Sequence, residues 1–538
     1  MSAPPPDARP RRALLAPAAV ALLAVLLGTL LLVRADSGLT TRRVTVDGVP
    51  LTEVEATGGD SGGRRPAVVV AHGFAGSARL MRPLADSAAR HGAVALLLDF
   101  AGHGANPARL SGAGDGGPAA DVLRHDLDVA VAHLRARPDV DPARIVLVGH
   151  SMGAGAVLRY ATTHPEIART VAISLPDPGP LPYGRPGALT LLVGGLEFPG
   201  FRQAAETAGA AGPPGTRELT VVPGVEHISI LFAPATHRAV VAAIPGASDG
   251  PPPDPFSRLA GAGLLLLGLG LGFLPLASAV LRPGPAAPAA LRRGPAAAVL
   301  RRRSTSAALR RGPAPGRADG RHSAAPGRAE GRGPASLPRW LGLTVPAVGL
   351  GAVAAGLLPT ARLPLAVGGH LAGLLLVAGL LLVAAGRWGR PGPPASAGAG
   401  ASAVVAAPVL AGYALLAVAV PIHLGFTSAL PVGARWWLLP LVGLCCLVFL
   451  AGAELLADGR GWRYAATGGF AVVALVGAAL LGLAPGFVLL VVPLFALLMA
   501  WQAAWAVALR RRGAPRWLPA LVGAVLLAWP IGTTLPLS

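Results

Sequence analysis

The chain has 538 residues, is 53% hydrophobic and only 13% charged, and carries a formal charge of +20 with a mean hydropathy of +0.58. Apolar runs of about 20 residues recur through its second half, which excludes a purely soluble globular protein and indicates a membrane protein. Its two cysteines, Cys445 and Cys446, are adjacent in an apolar run and point in different directions on a helix, so nothing indicates a disulfide framework or a thiolate metal site.

In chain order, "RPRR" at Arg9–Arg12 precedes an apolar run, Ala13–Val33, long enough to cross a bilayer. A cleaved signal peptide is the rival reading, but the run exceeds the usual apolar region of a leader, which favours an uncleaved anchor. Residues 40–245 then change character. Short β-rich runs ("PAVVVAHG", "AVALLLDF", "RIVLVGHS", "TVAISLPD", "LTLLVGG", "RELTVVPG") alternate with helical stretches ("RLMRPLADSAARHG", "DVLRHDLDVAVAHLRARP", "GAGAVLRYATTHP"), the pattern of a mostly parallel sheet covered by helices.

After a Pro-rich hinge at Asp249–Pro255, apolar runs are expected near 258–281, 340–359, 364–386, 403–423, 434–455, 466–484, 486–509 and 517–535. The expected organisation is an N-terminus with a first anchor over 1–35, an α/β domain over 36–248, a hinge and second span over 249–281, a disordered cytoplasmic loop over 282–339 and a bundle of about seven helices over 340–538. Arginine distribution orients it. "RPRR", the thirteen arginines of 282–339, "RWGR" at Arg387–Arg390, "GRGWR" at Gly459–Arg463 and "RRRGAPR" at Arg510–Arg516 fall on alternate connections, whereas the opposite ones hold only Arg362 and Arg435. Basic connections stay cytoplasmic, so residues 35–256 are expected outside the cytoplasm.

The 282–339 segment could suit nucleic acid, but its Pro, Gly and Ala content favours a disordered linker, and no partner is expected for it beyond acidic lipid headgroups. Among intramembrane ionisable residues, His370, His423 and Glu454 lie near span ends, where interfacial exposure accounts for them. Gly-rich faces such as "GLLLLGLGLGF" point to close helix packing.

Three stretches fit G-x-S-x-G: "GDSGG" at Gly59–Gly63, "GHSMG" at Gly149–Gly153 and "GASDG" at Gly246–Gly250. With 72 glycines and 20 serines, roughly 0.4 matches arise by chance, so context decides. Ser151 follows the strand-like "RIVLVG" and precedes a helix, the setting in which a strained turn lifts a nucleophile above a sheet edge. Ser61 lies in a glycine-rich turn with no histidine upstream, and Ser248 lies beside the hinge.

With "AHGFAGS" at Ala71–Ser77, "LLLDFAGHGAN" at Leu96–Asn106, "VDPARIVLVGHSMG" at Val140–Gly153, "LLVGGLE" at Leu191–Glu197 and "VPGVEH" at Val222–His227 in this order, residues 40–245 resemble an α/β-hydrolase domain. The resemblance implies Ser151 as nucleophile and His227 as general base, with backbone N–H groups of Phe74 and Met152 forming the oxyanion hole. It places the acid after "LTLLVGG", at Glu197, with Asp177 the alternative and Glu226 a neighbouring surface residue. His72 and His103 are expected as hydrogen-bonding loop residues rather than metal ligands, and no cofactor is expected. About eleven residues separate "TVAISLPD" from "LTLLVGG", too few for a helical lid, so an open site is expected.

The sequence thus supports a membrane-anchored bacterial serine hydrolase, esterase-like, acting outside the cytoplasm on an acyl ester or related bond of a small molecule or lipid, with the bilayer as partner and no nucleic acid. The alternatives are a transporter or membrane-assembly protein with an accessory hydrolase-like domain, and a serine peptidase.

Overall fold

The computed structural model describes residues 8–58, 63–110, 117–281, 336–388 and 397–538. Ser61 and nearly all of the expected 282–339 loop lie outside the described residues.

Eight strands form one sheet: β1 (Leu39–Val46), β2 (Val49–Ala56), β3 (Arg65–Ala71), β4 (Val94–Leu98), β5 (Val140–His150), β6 (Arg169–Ile173), β7 (Leu189–Gly194) and β8 (Arg217–Val222), in the order β1-β2-β4-β3-β5-β6-β7-β8. β3 to β8 pair in parallel, while β2 runs antiparallel to both β1 and β4. The β1–β2 hairpin is absent from the sequence expectation. Its signal is Asp47-Gly48, both with positive φ (46° and 79°), the dipeptide of a two-residue hairpin turn.

The central strands read as continuous apolar runs because both faces are covered. Along β3, Ala67, Val69 and Ala71 enter one core with Leu123, Leu127 and Val157, whereas Val68 and Val70 enter another with Leu84, Ala85 and Val240. The side-chain alternation of a strand divides one segment between two cores. The first is covered by α3 (Pro118–Arg135) and α4 (Met152–Thr163), the second by α2 (Arg82–Arg90) and α6 (Pro234–Ala242); α5 (Pro199–Ala210) packs along β7 and β8.

Nine helices among the described residues are long and apolar enough to cross a membrane. The helix containing the first, α1 (Ala8–Asp36), packs along α7 (Ser257–Val280). Glycine makes this approach feasible: a Cβ on Gly28 would sit 2.7 Å from the Gly261 carbonyl, and one on Gly261 would sit 2.9 Å from that of Gly28. The α/β region therefore leaves and re-enters the bundle at one place, where Arg258 pairs with Asp36 at 2.7 Å and with Asp86 at 2.6 Å.

Glu454 corrects the expectation of an interfacial residue. It is 1% exposed and pairs with Arg510 at 2.9 Å, and the Arg510 guanidinium lies 4.8 Å from the Tyr464 ring centre. The helices Arg435–Ala457 and Val488–Arg511 bring the two ends of this pair together, so packing rather than solvent accommodates the charge.

The α/β region rests on one end of the bundle. Leu537 donates its N–H to the Gly102 carbonyl at 2.7 Å, and Leu110 donates to the Leu537 carbonyl at 3.0 Å. Ser77 Oγ accepts from the Ser428 N–H at 3.2 Å and bonds the Thr427 hydroxyl at 2.9 Å. Arg435 is fully buried at this junction and donates to the carbonyls of Gly102 (2.9 Å) and Leu535 (3.2 Å). Replacing it by methionine, Arg435→Met, removes one donor from each of these carbonyls, Gly102 keeping the Leu537 N–H, and should lower the stability of the full chain by about 2–4 kcal/mol. Thermal unfolding in detergent measures this, and an unchanged midpoint would show that the contact is not structural.

Candidate active site

β5 ends at His150 and α4 begins at Met152, leaving Ser151 alone in the turn with φ 53° and ψ −119°. This conformation strains a residue bearing a Cβ, and it projects the side chain beyond the strand end. The surroundings enforce it. A Cβ on Gly153 would lie 2.5 Å from the carbonyls of both Ala71 and His72, so only glycine lets α4 start so close to β3. A Cβ on Gly73 would meet His150 Nδ1 at 2.9 Å and Ser151 Cβ at 3.0 Å, so the loop after β3 can pass over the turn only as glycine.

Three side chains from three loops form a line. His227 Nε2 is 3.0 Å from Ser151 Oγ, and His227 Nδ1 is 3.0 Å from Glu197 Oε2. The second carboxylate oxygen, Glu197 Oε1, accepts from the Gly194 N–H and from Ser174 Oγ, each at 2.7 Å. His227 is buried, and the Glu197 carboxylate is almost wholly so. With both oxygens occupied, the carboxylate fixes the ring so that Nδ1–H faces Glu197 and Nε2 is free to accept the Ser151 proton. Asp177 does not join this line: it is exposed, and among the described residues it accepts from the Gly179 N–H at 3.0 Å. Glu226 is likewise occupied locally, accepting from the N–H groups of Ile228 and Ser229 at 2.9 and 2.7 Å. Ser248 is exposed, and its N–H donates to His91, away from the line.

Met152 is the first residue of α4, where a helical N–H has no intrahelical partner and the helix dipole is positive. Phe74 follows Gly73 in the loop across from it. His72 Nδ1 donates to the Gly73 carbonyl at 2.8 Å while Nε2 accepts from the Phe100 N–H at 3.1 Å, which ties the Phe74 loop to the loop after β4. His103 Nδ1 donates to the Ala101 carbonyl at 2.9 Å. Burial holds both imidazoles below the usual histidine range, hence neutral.

Several residues of this site are absent from the sequence expectation. Ser174, at φ 53° just after β6, supports Glu197. His150 Nε2 donates to the His227 carbonyl at 2.8 Å and so holds the backbone of the imidazole's own loop. The Phe201 ring centre lies 4.5 Å from that of His227. Phe487, from the bundle, stacks on Phe74 at 4.7 Å. Residues 174–188 contain no helix, in keeping with the expected lack of a helical lid, and a bundle residue lies against the Phe74 loop. A hydrophobic residue at the start of a distant span gives no sequence signal for such a contact.

Residues 62–185, less than a quarter of the chain, match the model of the family described as serine aminopeptidase, S33. An uncharacterized protein of Mycobacterium tuberculosis strain H37Rv is 36% identical over 126 residues, covering 23% of this chain and 42% of the relative. A thiohydrolase of Arthrinium phaeospermum is 37% identical over 79 residues, covering 14% of this chain and 25% of the relative. The chain thus spans less than half the length of these curated relatives. Among solved structures, Est1E of Butyrivibrio proteoclasticus aligns at 15% identity and TM-score 0.28, covering 37% of this chain and 95% of that one. A soluble variant of the Saccharomyces cerevisiae monoglyceride lipase aligns at 15% identity and TM-score 0.30, covering 38% and 95%. With its parallel sheet, strand-turn-helix serine and family match, this chain carries an α/β-hydrolase domain, fused to a bundle of apolar helices.

Two outcomes follow from the geometry. Ser174→Ala removes one of the two donors to Glu197 Oε1 and should lower kcat roughly 3–30-fold with little change in KM. Steady-state kinetics on any turned-over ester separates the two parameters. Burial also pushes the imidazoles of His150 and His237 down from 6.5 to about 3 and about 4. Both groups bind a proton more readily in the unfolded chain, so their contribution is complete above about 6.5 and is lost as pH falls toward 4. Denaturant titrations at pH 7, 5 and 4 should show declining stability; a flat profile would contradict the burial of neutral imidazoles.

Proposed function

We propose that the α/β-hydrolase domain is a serine hydrolase that transfers an acyl group to water through Ser151, His227 and Glu197. The hydrogen-bonded line from Ser151 Oγ through His227 to Glu197, with 3.0 Å at each step, carries this reading. His227 takes the Ser151 proton as Oγ attacks the acyl carbon, and Glu197 stabilises the imidazolium that forms. The negative oxygen of the tetrahedral intermediate meets the N–H groups of Met152 and Phe74. His227 then returns the proton to the leaving group, and a water activated by the same imidazole releases the acyl product.

Side chains around this line favour an apolar acyl portion. Leu196 and Phe198, beside Glu197, are each 68% exposed, and Ile228, beside His227, is exposed too. Phe74, which follows the Gly73 that lies against the Ser151 turn, and Phe487 stacked on it add further apolar surface. An exposed apolar rim suits an amphiphilic ester or thioester held near a bilayer. The match to an aminopeptidase family keeps a peptidase as the second reading.

The catalytic face is proposed to lie outside the cytoplasm. The connections that touch the α/β region, 426–434, 481–487 and 535–538, are those expected opposite the Arg-rich ones. Protease added to spheroplasts should therefore cleave within 36–256 and spare 282–339; the inverse pattern reverses the orientation. For the chemistry, Ser151→Ala and His227→Ala should each reduce hydrolysis of p-nitrophenyl esters by the full chain by on the order of 10³ or more, and Glu197→Gln by about 10²–10⁴. Undiminished turnover in Ser151→Ala would reject the assignment, and turnover of peptides but not esters would favour the second reading.

A further inference from the structure

A cavity of about 300 Å³ lies between the α/β domain and the bundle, and Ser151, His227 and Glu197 are not among its walls. The β1–β2 hairpin, the segment before α2, the start of α7 and the 423–432 connection between two spans enclose it. Four guanidinium-bearing residues line it: Arg43, Arg79, Arg82 and Arg258.

The carboxylates nearby do not neutralise all four. Asp86 accepts from Arg82 at 2.5 Å and from Arg258 at 2.6 Å, and Asp36 accepts from Arg258 at 2.7 Å. Asp99 also lines the cavity, but its two oxygens accept from the N–H groups of Ala78 (2.7 Å) and Ala105 (3.0 Å) and so hold the backbone. Among the described residues, no carboxylate lies within ion-pairing distance of Arg43 or Arg79. Arg79 bears the consequence: burial, and then the charge of Arg43, pull its guanidinium down to about 10, with the Asp99 carboxylate offsetting only part of this and Arg82 and Arg258 adding to it. Two like charges on the wall of one partly enclosed space repel each other until an anion neutralises them.

The other walls limit the ligand. Leu424 and Leu430, from the end of a span and the connection after it, give the cavity an apolar side next to its cationic one. Guanidinium forks match the oxygens of phosphate, and an apolar wall continuous with the bundle matches hydrocarbon. We propose that this cavity binds a phosphate-bearing anion, held by Arg43 and Arg79, with the apolar wall receiving the hydrocarbon when the phosphate belongs to a membrane lipid. The site would hold such a lipid against the junction between domain and bundle whether or not Ser151 is catalytic.

Short-chain phosphatidylglycerol, inorganic phosphate and a phosphate-free diacylglycerol, each added to the full chain in detergent, test the proposal by thermal shift. Phosphatidylglycerol should raise the midpoint by about 2–4 °C at saturation and diacylglycerol should leave it unchanged. In Arg43→Gln/Arg79→Gln the affinity for phosphatidylglycerol should fall roughly tenfold or more. Arg43→Gln alone, an exposed change on β1, should weaken binding in the same direction and serves if the double variant does not fold. A comparable shift with inorganic phosphate identifies the phosphate itself as sufficient, whereas a shift with phosphatidylglycerol alone identifies the lipid-borne group. No shift with either phosphate ligand, or equal affinity in wild type and Arg43→Gln, overturns the proposal.

Discussion

A buried guanidinium joins the two parts of this chain. Arg435 opens a span, yet it reaches the α/β domain, donating to the Gly102 carbonyl there and to the Leu535 carbonyl at the end of the last helix. An unpaired cation there would carry a large desolvation penalty, and each carbonyl would lose a donor if it withdrew, Gly102 keeping only the Leu537 N–H. The contact therefore fixes the loop after β4 to the bundle. Through Asp99, which bonds Ala78 and Ala105, and His72, which bonds Gly73 and Phe100, that constraint reaches the loop bearing Phe74. The bundle is thus in physical continuity with a loop beside Ser151.

This arrangement gives the additional spans a role that anchoring alone does not require. A single helix would tether the domain. Here the connections 426–434, 481–487 and 535–538 touch it by hydrogen bonds or ring stacking, and α1 and α7 close the circuit through Asp36 and Arg258. A domain held at several points keeps one face toward the bundle, and the residues in that face, Phe74 and Ser77 among them, come from loops at the strand ends rather than from the sheet's covering helices.

The sequence made some of this legible and concealed the rest for identifiable reasons. The parallel strands β3, β4, β6 and β7 and the end of β5, buried on both faces, leave unbroken apolar runs that could be read directly, whereas β1 and β2 toward one edge of the sheet carry mixed patterns such as "LTTRRVTV", with the Asp47-Gly48 turn as their signal. Ser151, His227 and Glu197 stand after strands in recognisable motifs, and the structure brings all three together. Ser174, His150 and Phe201 support them through contacts made only once separate loops converge. Glu454 looked interfacial because its partner, Arg510, is 56 residues away in sequence, and no local pattern records such a pairing.

The proposed function requires Ser151 to be an activated nucleophile within the intact chain. Intact-mass and peptide-mapping measurements on the full chain in nanodiscs, after exposure to a lipid-tailed fluorophosphonate, test this most directly. A single covalent adduct on Ser151, formed faster than on free serine, is the predicted result. A folded chain that forms no adduct, or forms it on another residue, would contradict the account.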